Sequence, residues 1–229
     1  MKLILLIETA TTSCSVALAG DDKILALKEV NERNIHASHI TLFIEEVMQQ
    51  AGKSYSELDA VAISKGPGSY TGLRIGVSTA KGLCFALDIP LVAVDTLQAM
   101  ASGVRFSEAD WDADTLFCPM IDARRMEVYT ALFDQNLDAV LPTEAKILDE
   151  HTFDQYLDQY QIVFFGDGSE KCKALYAERN NVSFTDFQNS AAHLSHLAFQ
   201  KLEAGQTEDV AYFEPFYLKD FIAGRPANS

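Results

Sequence analysis

Short apolar runs separated by turns open the chain. Leu3–Ile7, Cys14–Leu18 and Ile24–Val30 have strand length and strand composition, and Gly20-Asp21-Asp22 supplies the turn before the third, so three consecutive strands are predicted. The period then changes. Ile40, Phe43, Ile44, Val47, Met48 and Ala51 recur at helical spacing, and Gly52 stops the pattern. Ala60–Ser64 reads as a buried strand that runs into Gly66-Pro67-Gly68-Ser69. A second helix follows from about Thr71 to Leu87, and Pro90 opens a short strand, Leu91–Val94.

The same plan recurs downstream. Placing Ile7-Glu8-Thr9 over Ile121-Asp122-Ala123 lays Cys14–Leu18 over Val128–Leu132 without a gap. Gly66-Pro67-Gly68-Ser69 likewise corresponds to Gly166-Asp167-Gly168-Ser169, which also follows an apolar strand (Ile162–Phe165) and precedes a helical stretch (Glu170–Glu178). Each half reads as hairpin, third strand, helix, strand, glycine bend, helix. This is an architectural duplication rather than a short-period solenoid, and it predicts two α/β lobes, 1–104 and 105–229, with a cleft between them. The polar stretch Ser102–Thr115 is the expected seam. A last helix, Ser190–Ala204, and the tail Tyr212–Phe221 close the chain, with room to pack back on the first lobe.

Charge narrows the functions open to such a fold. Thirty-three acidic residues against 18 basic give a net charge of −15, which opposes tight unaided binding to nucleic acid. Cys14, Cys84, Cys118 and Cys172 are scattered without a CxxC, as expected of reduced thiols in a cytoplasmic protein. The opening MKLILLIETATTSCSVALAG imitates a signal peptide, but its apolar run ends at Ile7, so it is read as a strand. No apolar stretch reaches membrane-spanning length.

Candidate chemistry is sparse. The turn Glu8-Thr9-Ala10-Thr11-Thr12-Ser13 would face the cleft, where Glu8, Thr9 and Thr11 could meet a nucleotide phosphate or metal-bound water; equally, the hydroxyls could satisfy their own turn. Gly66–Arg74 lacks the lysine and spacing of a Walker loop and is not GxGxxG. Beyond it, Gly72, Gly76, Thr79 and Ala86 form a stripe of small residues, with Gly82 nearby. Each helical glycine costs about 1 kcal/mol relative to alanine, so the stripe implies a close contact, either with a partner or within the monomer. The pairs His36/His39 and His193/His196 have helical spacing but no third metal ligand nearby, apart from Glu32 before the first pair. Asp110-x-Asp112-x-Asp114 starts like a calcium loop, yet Thr115 and Ile121 stand where its glycine and glutamate belong. No catalytic residue and no metal ligand is assigned.

Four segments carry a family resemblance: Ile7-Glu8-Thr9-Ala10-Thr11, Lys65–Gly76 (KGPGSYTGLRIG), Ile121-Asp122-Ala123-Arg124-Arg125 and Glu214-Pro215-Phe216-Tyr217-Leu218. In this order they resemble the bacterial TsaB (YeaZ-like) family of tRNA threonylcarbamoyladenosine biosynthesis proteins. The resemblance spans residue 3 to about residue 220. Met126 departs from the glycine common in the family.

The resemblance implies a duplicated ribonuclease-H-like fold of the actin, Hsp70 and sugar-kinase type. It also implies a non-catalytic, accessory role beside a catalytic paralogue, TsaD, and an ATPase, TsaE. That assembly transfers threonylcarbamoyl to the adenosine beside the anticodon of ANN-reading tRNAs. It would use ATP through the complex, with no cofactor held tightly by this chain and tRNA met through the complex. TsaD-like chains carry a metal-binding histidine pair where this chain has Thr96 and Met100, and Met is a poor ligand for a hard metal. Carried over, the partner-facing positions are Ile40, Phe43, Val47, Gly72, Arg74, Ile75, Gly76, Thr79 and Leu83. Self-association of the lone chain is left open. The competing expectation is a small ATPase or kinase using the interlobe cleft; a metallopeptidase would need the missing ligands.

Overall fold

The computed structural model describes residues 1–32, 36–107 and 110–219, with residues 36 and 37 as backbone; His36 of the first histidine pair and Phe221 of the tail fall outside the described side chains. Strands β1 (Leu3–Glu8), β2 (Ser13–Gly20) and β3 (Lys23–Asn31) form an antiparallel meander. On its other edge β1 pairs in parallel with β4 (Ala60–Ser64), and β4 with β5 (Leu91–Val94), giving the order β3-β2-β1-β4-β5. β1 and β4 are apolar on successive residues because both faces of the sheet are covered, whereas edge strand β3 is largely exposed. Helices α1 (His36–Gln50) and α2 (Tyr70–Leu87) bury Phe43, Ile44, Val47, Val77 and Ala80 against Leu5, Ile7, Val16 and Ile63 on one face.

The second half repeats this topology. Strands β6 (Thr115–Asp122), β7 (Glu127–Phe133), β8 (Ala139–Ile147), β9 (Gln161–Phe165) and β10 (Val182–Phe184) stand in the order β10-β9-β6-β7-β8, the first sheet read from its opposite edge. Its outer helices are single turns, α4 (Asp154–Leu157) and α5 (Glu170–Lys173), so the helix expected over Glu170–Glu178 forms only in its first turn. Phe153, Phe164 and Tyr176 cover that face with aromatic bulk instead, their rings 5.3 to 6.3 Å apart.

Two elements escape the hydrophobic pattern. One is β10. The other is α3 (Thr96–Arg105), capped by the Asp95 carboxylate, which accepts from the amides of Leu97 and Gln98 at 3.1 and 3.3 Å. The expected seam at Ser102 therefore begins inside a helix. The last helix, expected from Ser190, is a 3-10 turn (Ala191–Leu194) followed by α6 (Ser195–Glu203).

The helices cross over between the halves. α3, from the first half, packs on β6 and β7, while α6, from the second, packs on β5 and β1. The two sheets thus enclose one central core, in which Leu6 and Val92 from one sheet and Phe117 and Val163 from the other sandwich Leu97, Met100 and Leu197. The tail then returns to the first lobe. Glu208 bridges to Leu91, Val210 and Phe213 pack on that lobe's core, and Phe216 N donates to the Lys65 carbonyl at 2.7 Å.

Candidate functional site

The glycine bend between β4 and α2 meets the β1–β2 hairpin. Ser69 N donates to Ala10 O at 2.6 Å, and the Ser69 hydroxyl caps α2 through the Gly72 amide. A Cβ on Gly68 would stand 2.2 Å from Ala10 O, one on Gly72 2.1 Å from Thr9 O, and one on Gly76 2.2 Å from Thr9 Oγ1. No side chain fits at those separations, so these glycines form a saddle on which the hairpin of the same chain rests.

This corrects the partner-facing assignment of Gly72 and Gly76, which are buried inside the monomer. Ile40, Phe43 and Val47 are corrected likewise: they are at most 3 % exposed and belong to the first-lobe core. Amphipathic spacing marks the inward face of a helix, and that is where all five lie. Ile75, Thr79 and Leu83 are half-buried, with the Thr79 hydroxyl donating to Ile75 O at 2.9 Å; Arg74 is exposed.

The outward stripe of α2 consists of Thr71, Arg74, Ser78, Gly82, Phe85 and Ala86, all exposed. Phe85 is 85 % exposed, and a Cβ on Gly82 would meet nothing within 4 Å. On α1, which packs beside α2, Leu42 is 51 % exposed. Pattern reading passed over Phe85 and Leu42 because both lie off the apolar face; an aromatic residue off that face is the signal that would have found them.

The nucleotide-facing candidates are closed in. Glu8 is 1 % and Thr9 0 % exposed. Glu8 Oε1 accepts from Ala10 N at 2.5 Å. Burial pushes its carboxyl up to about 7, against the smaller opposing effects of the Ala10 amide, Ser64 and the Thr9 amide. Thr9 Oγ1 is pressed against α2 with no hydrogen-bond partner, and Thr11 Oγ1 accepts from Ser13 N within its own turn. Of the two readings left open for this hairpin, the self-satisfied turn describes Thr11.

Thr96 and Met100 serve packing. The Thr96 hydroxyl accepts from Gly66 N at 3.0 Å and Met100 lies against Gly166 in the central core. The histidines are separate: His39 faces Phe43, His193 is held beside Phe187, and His196 pairs with Asp22. Among the described residues no group of three or more His, Cys, Asp or Glu is placed to hold a metal. No described helix is long and apolar enough to cross a membrane.

The second glycine bend repeats the saddle. Gly166 (φ 91°) follows β9 as Gly66 (φ 117°) follows β4, and each accommodates a backbone carbonyl that a side chain would strike, Met120 O in one case and Phe216 O in the other. Two sheets of one topology, each followed by a glycine saddle and sharing a central helix pair, define a duplicated ribonuclease-H-like protein. At the level of fold alone it is similar to the activator of 2-hydroxyisocaproyl-CoA dehydratase from Clostridium difficile (TM-score 0.53, 9 % identity, covering 89 % of this chain and 97 % of that one).

Within that class the chain belongs to the TsaB family. It is 33 % identical over 230 residues to the tRNA threonylcarbamoyladenosine biosynthesis protein TsaB of Escherichia coli, covering 96 % of each chain. Residues 29–225 match the family profile described as TsaD, tRNA N6-adenosine threonylcarbamoyltransferase. A crystal structure from Pseudomonas aeruginosa, described as an uncharacterized protein with similarity to peptidase YEAZ, superposes with a TM-score of 0.81 at 26 % identity, covering 96 % of this chain and all of that one.

Proposed function

We propose that this chain is a non-catalytic scaffold subunit of an assembly that transfers a threonylcarbamoyl group to the adenosine beside the anticodon of ANN-reading tRNAs. In this reading a TsaD-like paralogue carries the chemistry and a TsaE-like ATPase consumes ATP, while this chain holds no tightly bound cofactor and works in the cytoplasm. The observation that carries it is the pair Thr96 and Met100, at the positions of the histidines in TsaD-like chains: one hydroxyl is engaged by Gly66 and the other side chain is buried in the core. A closed hairpin at Glu8 and Thr9 supports the same reading over a kinase-like one.

The docking surface proposed is the outward face of α2 with its neighbour α1: Arg74, Ser78, Gly82 and Phe85, with Leu42 beside them. Phe85 offers a large apolar anchor, and Gly82 beside it leaves room for a close approach by another backbone. The test is reconstitution of tRNA modification with TsaD-like and TsaE-like partners, with and without this chain and with Phe85→Asp. Expected are loss of modification without the chain, and a folded Phe85→Asp variant that binds the TsaD-like partner at least tenfold more weakly. Full modification in the absence of the chain would refute the scaffold role.

A further inference from the structure

Among the described residues the two most exposed large apolar side chains are Phe85, at 85 %, and Tyr212, at 84 %. One such side chain alone calls for no explanation, but these two meet at one helix. Lys81 lies one turn before Phe85 on α2. Its ammonium donates to the carbonyls of Ala211 and Phe213 at 3.2 and 2.8 Å. Tyr212 sits between the two clamped residues, so its ring is presented beside the outward stripe that carries Gly82 and Phe85.

The turn that carries Tyr212 is held from several sides. Asp209 Oδ1 accepts from the amides of Ala211 and Tyr212 at 2.8 and 3.2 Å, and Asp209 O accepts from Phe213 N at 2.8 Å. Glu208 N donates to Leu91 O at 2.9 Å, which lays the tail along the loop that ends α2. Val210 and Phe213 turn inward onto the first-lobe core, while Tyr212 between them turns out. Beside the ring stand two acids. Asp88, the left-handed cap of α2 (φ 54°), and Asp209 are exposed and form no ion pair with a described cation. Lys81, the cation of this stretch, spends its ammonium inward on the two carbonyls.

We infer that the Asp209–Phe213 turn of the tail completes the docking surface of α2, with Tyr212 as a second anchor beside Phe85, and that the partner offers an apolar pocket rimmed by lysine or arginine. The inference rests on the reading of function above, in which the partner is the TsaD-like paralogue. Buried aromatic anchors govern how long a complex lasts, whereas charges at its rim govern how fast it forms. Because Lys81 ties the turn to α2, the surface joins two parts of the chain far apart in sequence. It is complete only while the tail is strapped down.

The test is binding of the full chain to the purified TsaD-like paralogue, followed by biolayer interferometry across salt concentrations. Tyr212→Ala is expected to bind about tenfold more weakly, chiefly through faster dissociation. Its thermal midpoint should match the parent because the ring is exposed, and Tyr212→Phe should bind like the parent. Lys81→Met keeps the aliphatic stem but releases the turn, and should weaken binding about threefold or more. Adding Tyr212→Ala to it should then cost less than it does in the parent, since the ring is no longer held in place. Asp88→Asn suits a left-handed cap and should slow association about two- to fivefold at low salt, with little effect at high salt. If Tyr212→Ala binds like the parent while Phe85→Asp is weakened, the inference is overturned and the α2 face stands. An Asp88→Asn variant with parental association rate and salt dependence overturns the basic rim. Sedimentation of the lone chain as a dimer that Tyr212→Ala dissociates, with paralogue binding untouched, assigns the turn to a second copy and overturns the inference. Failure of the parent itself to bind the paralogue sinks the reading of function and takes the inference with it, a result distinct from every variant outcome.

Discussion

Gly76 and Gly82 lie on one helix under opposite constraints. A Cβ at Gly76 would stand 2.2 Å from Thr9 Oγ1, whereas one at Gly82 would meet nothing within 4 Å. Alanine at either site gains about 1 kcal/mol in helix propensity. At Gly76 the overpacking of the hairpin outweighs that gain, so Gly76→Ala is expected to lose about 1–3 kcal/mol, while Gly82→Ala gains up to about 1 kcal/mol. Urea unfolding of the two variants checks the pair. Glu8 presents a different constraint. Its carboxyl titrates near 7 in the folded chain against 4.5 when free, because burial disfavours the charged form. Between those values the folded state holds a proton that the unfolded state has released, so stability falls as pH rises through the interval, by about 3 kcal/mol in all. Glu8→Gln keeps the shape and the acceptor for Ala10 N. It should match the parent near pH 4, exceed it at pH 8, and flatten the stability profile between, as read by denaturant titration across pH. A variant less stable than the parent at pH 8 would show that the charge is compensated by a partner.

At the scale of elements, α2 has three clients. Its inner face carries the hairpin, its start meets Tyr217, and Lys81 donates its ammonium to the carbonyls of Ala211 and Phe213 at 3.2 and 2.8 Å. The tail therefore acts as a strap over the first lobe, anchored by the side chains of Val210 and Phe213. Ending the chain after residue 207 should cost about 2 kcal/mol or more, the value of one large apolar side chain withdrawn from water, and hydrogen exchange should quicken at Lys65–Tyr70. Among the described residues the outer face has no such intramolecular client. Phe85→Ser is expected to leave stability within about 0.5 kcal/mol, and a larger loss by thermal melting would mean that this face packs on the chain itself.

At the scale of the molecule, the crossover of α3 and α6 ties the halves together. Because both sheets bury residues in one core, neither lobe keeps its hydrophobic face covered if the other unfolds. Unfolding should then be a single transition. Trp111, whose ring meets Phe117 edge-on at 5.6 Å and whose indole N–H donates to Val104 O, reports on the junction between the halves. Its fluorescence and the far-UV circular dichroism should give coincident curves. Leu97→Ala, a cavity in the shared core, should shift both together by about 2–5 kcal/mol. Separate transitions would show that the lobes are energetically independent.

Much of this was legible in the chain because it is local. Strand alternation, helical spacing and glycine bends depend on near neighbours in sequence, so the order of every element but α3 and β10, and the duplication, could be read from residues such as Ile7, Ile121, Gly66 and Gly166. The family could be read from KGPGSYTGLRIG and the three shorter segments. What lay against each element could not. The stripe Gly72 and Gly76 announces a close contact, but only the folded chain brings Thr9 and Ala10 to it, from a hairpin distant in sequence. Ile40, Phe43 and Val47 show a face without showing whether a sheet or a partner covers it. Helix α3 was missed because its small, polar-interrupted sequence is stabilised by the second sheet, and the helices expected on the outer face of the second half shrink to the single turns α4 and α5 because aromatic packing replaces helix length there. The sequence by itself determined most of the elements, their repetition and the family; the tertiary structure decided which helix face is buried, which half each helix serves and where the tail lies, since those depend on contacts between residues that only folding brings together.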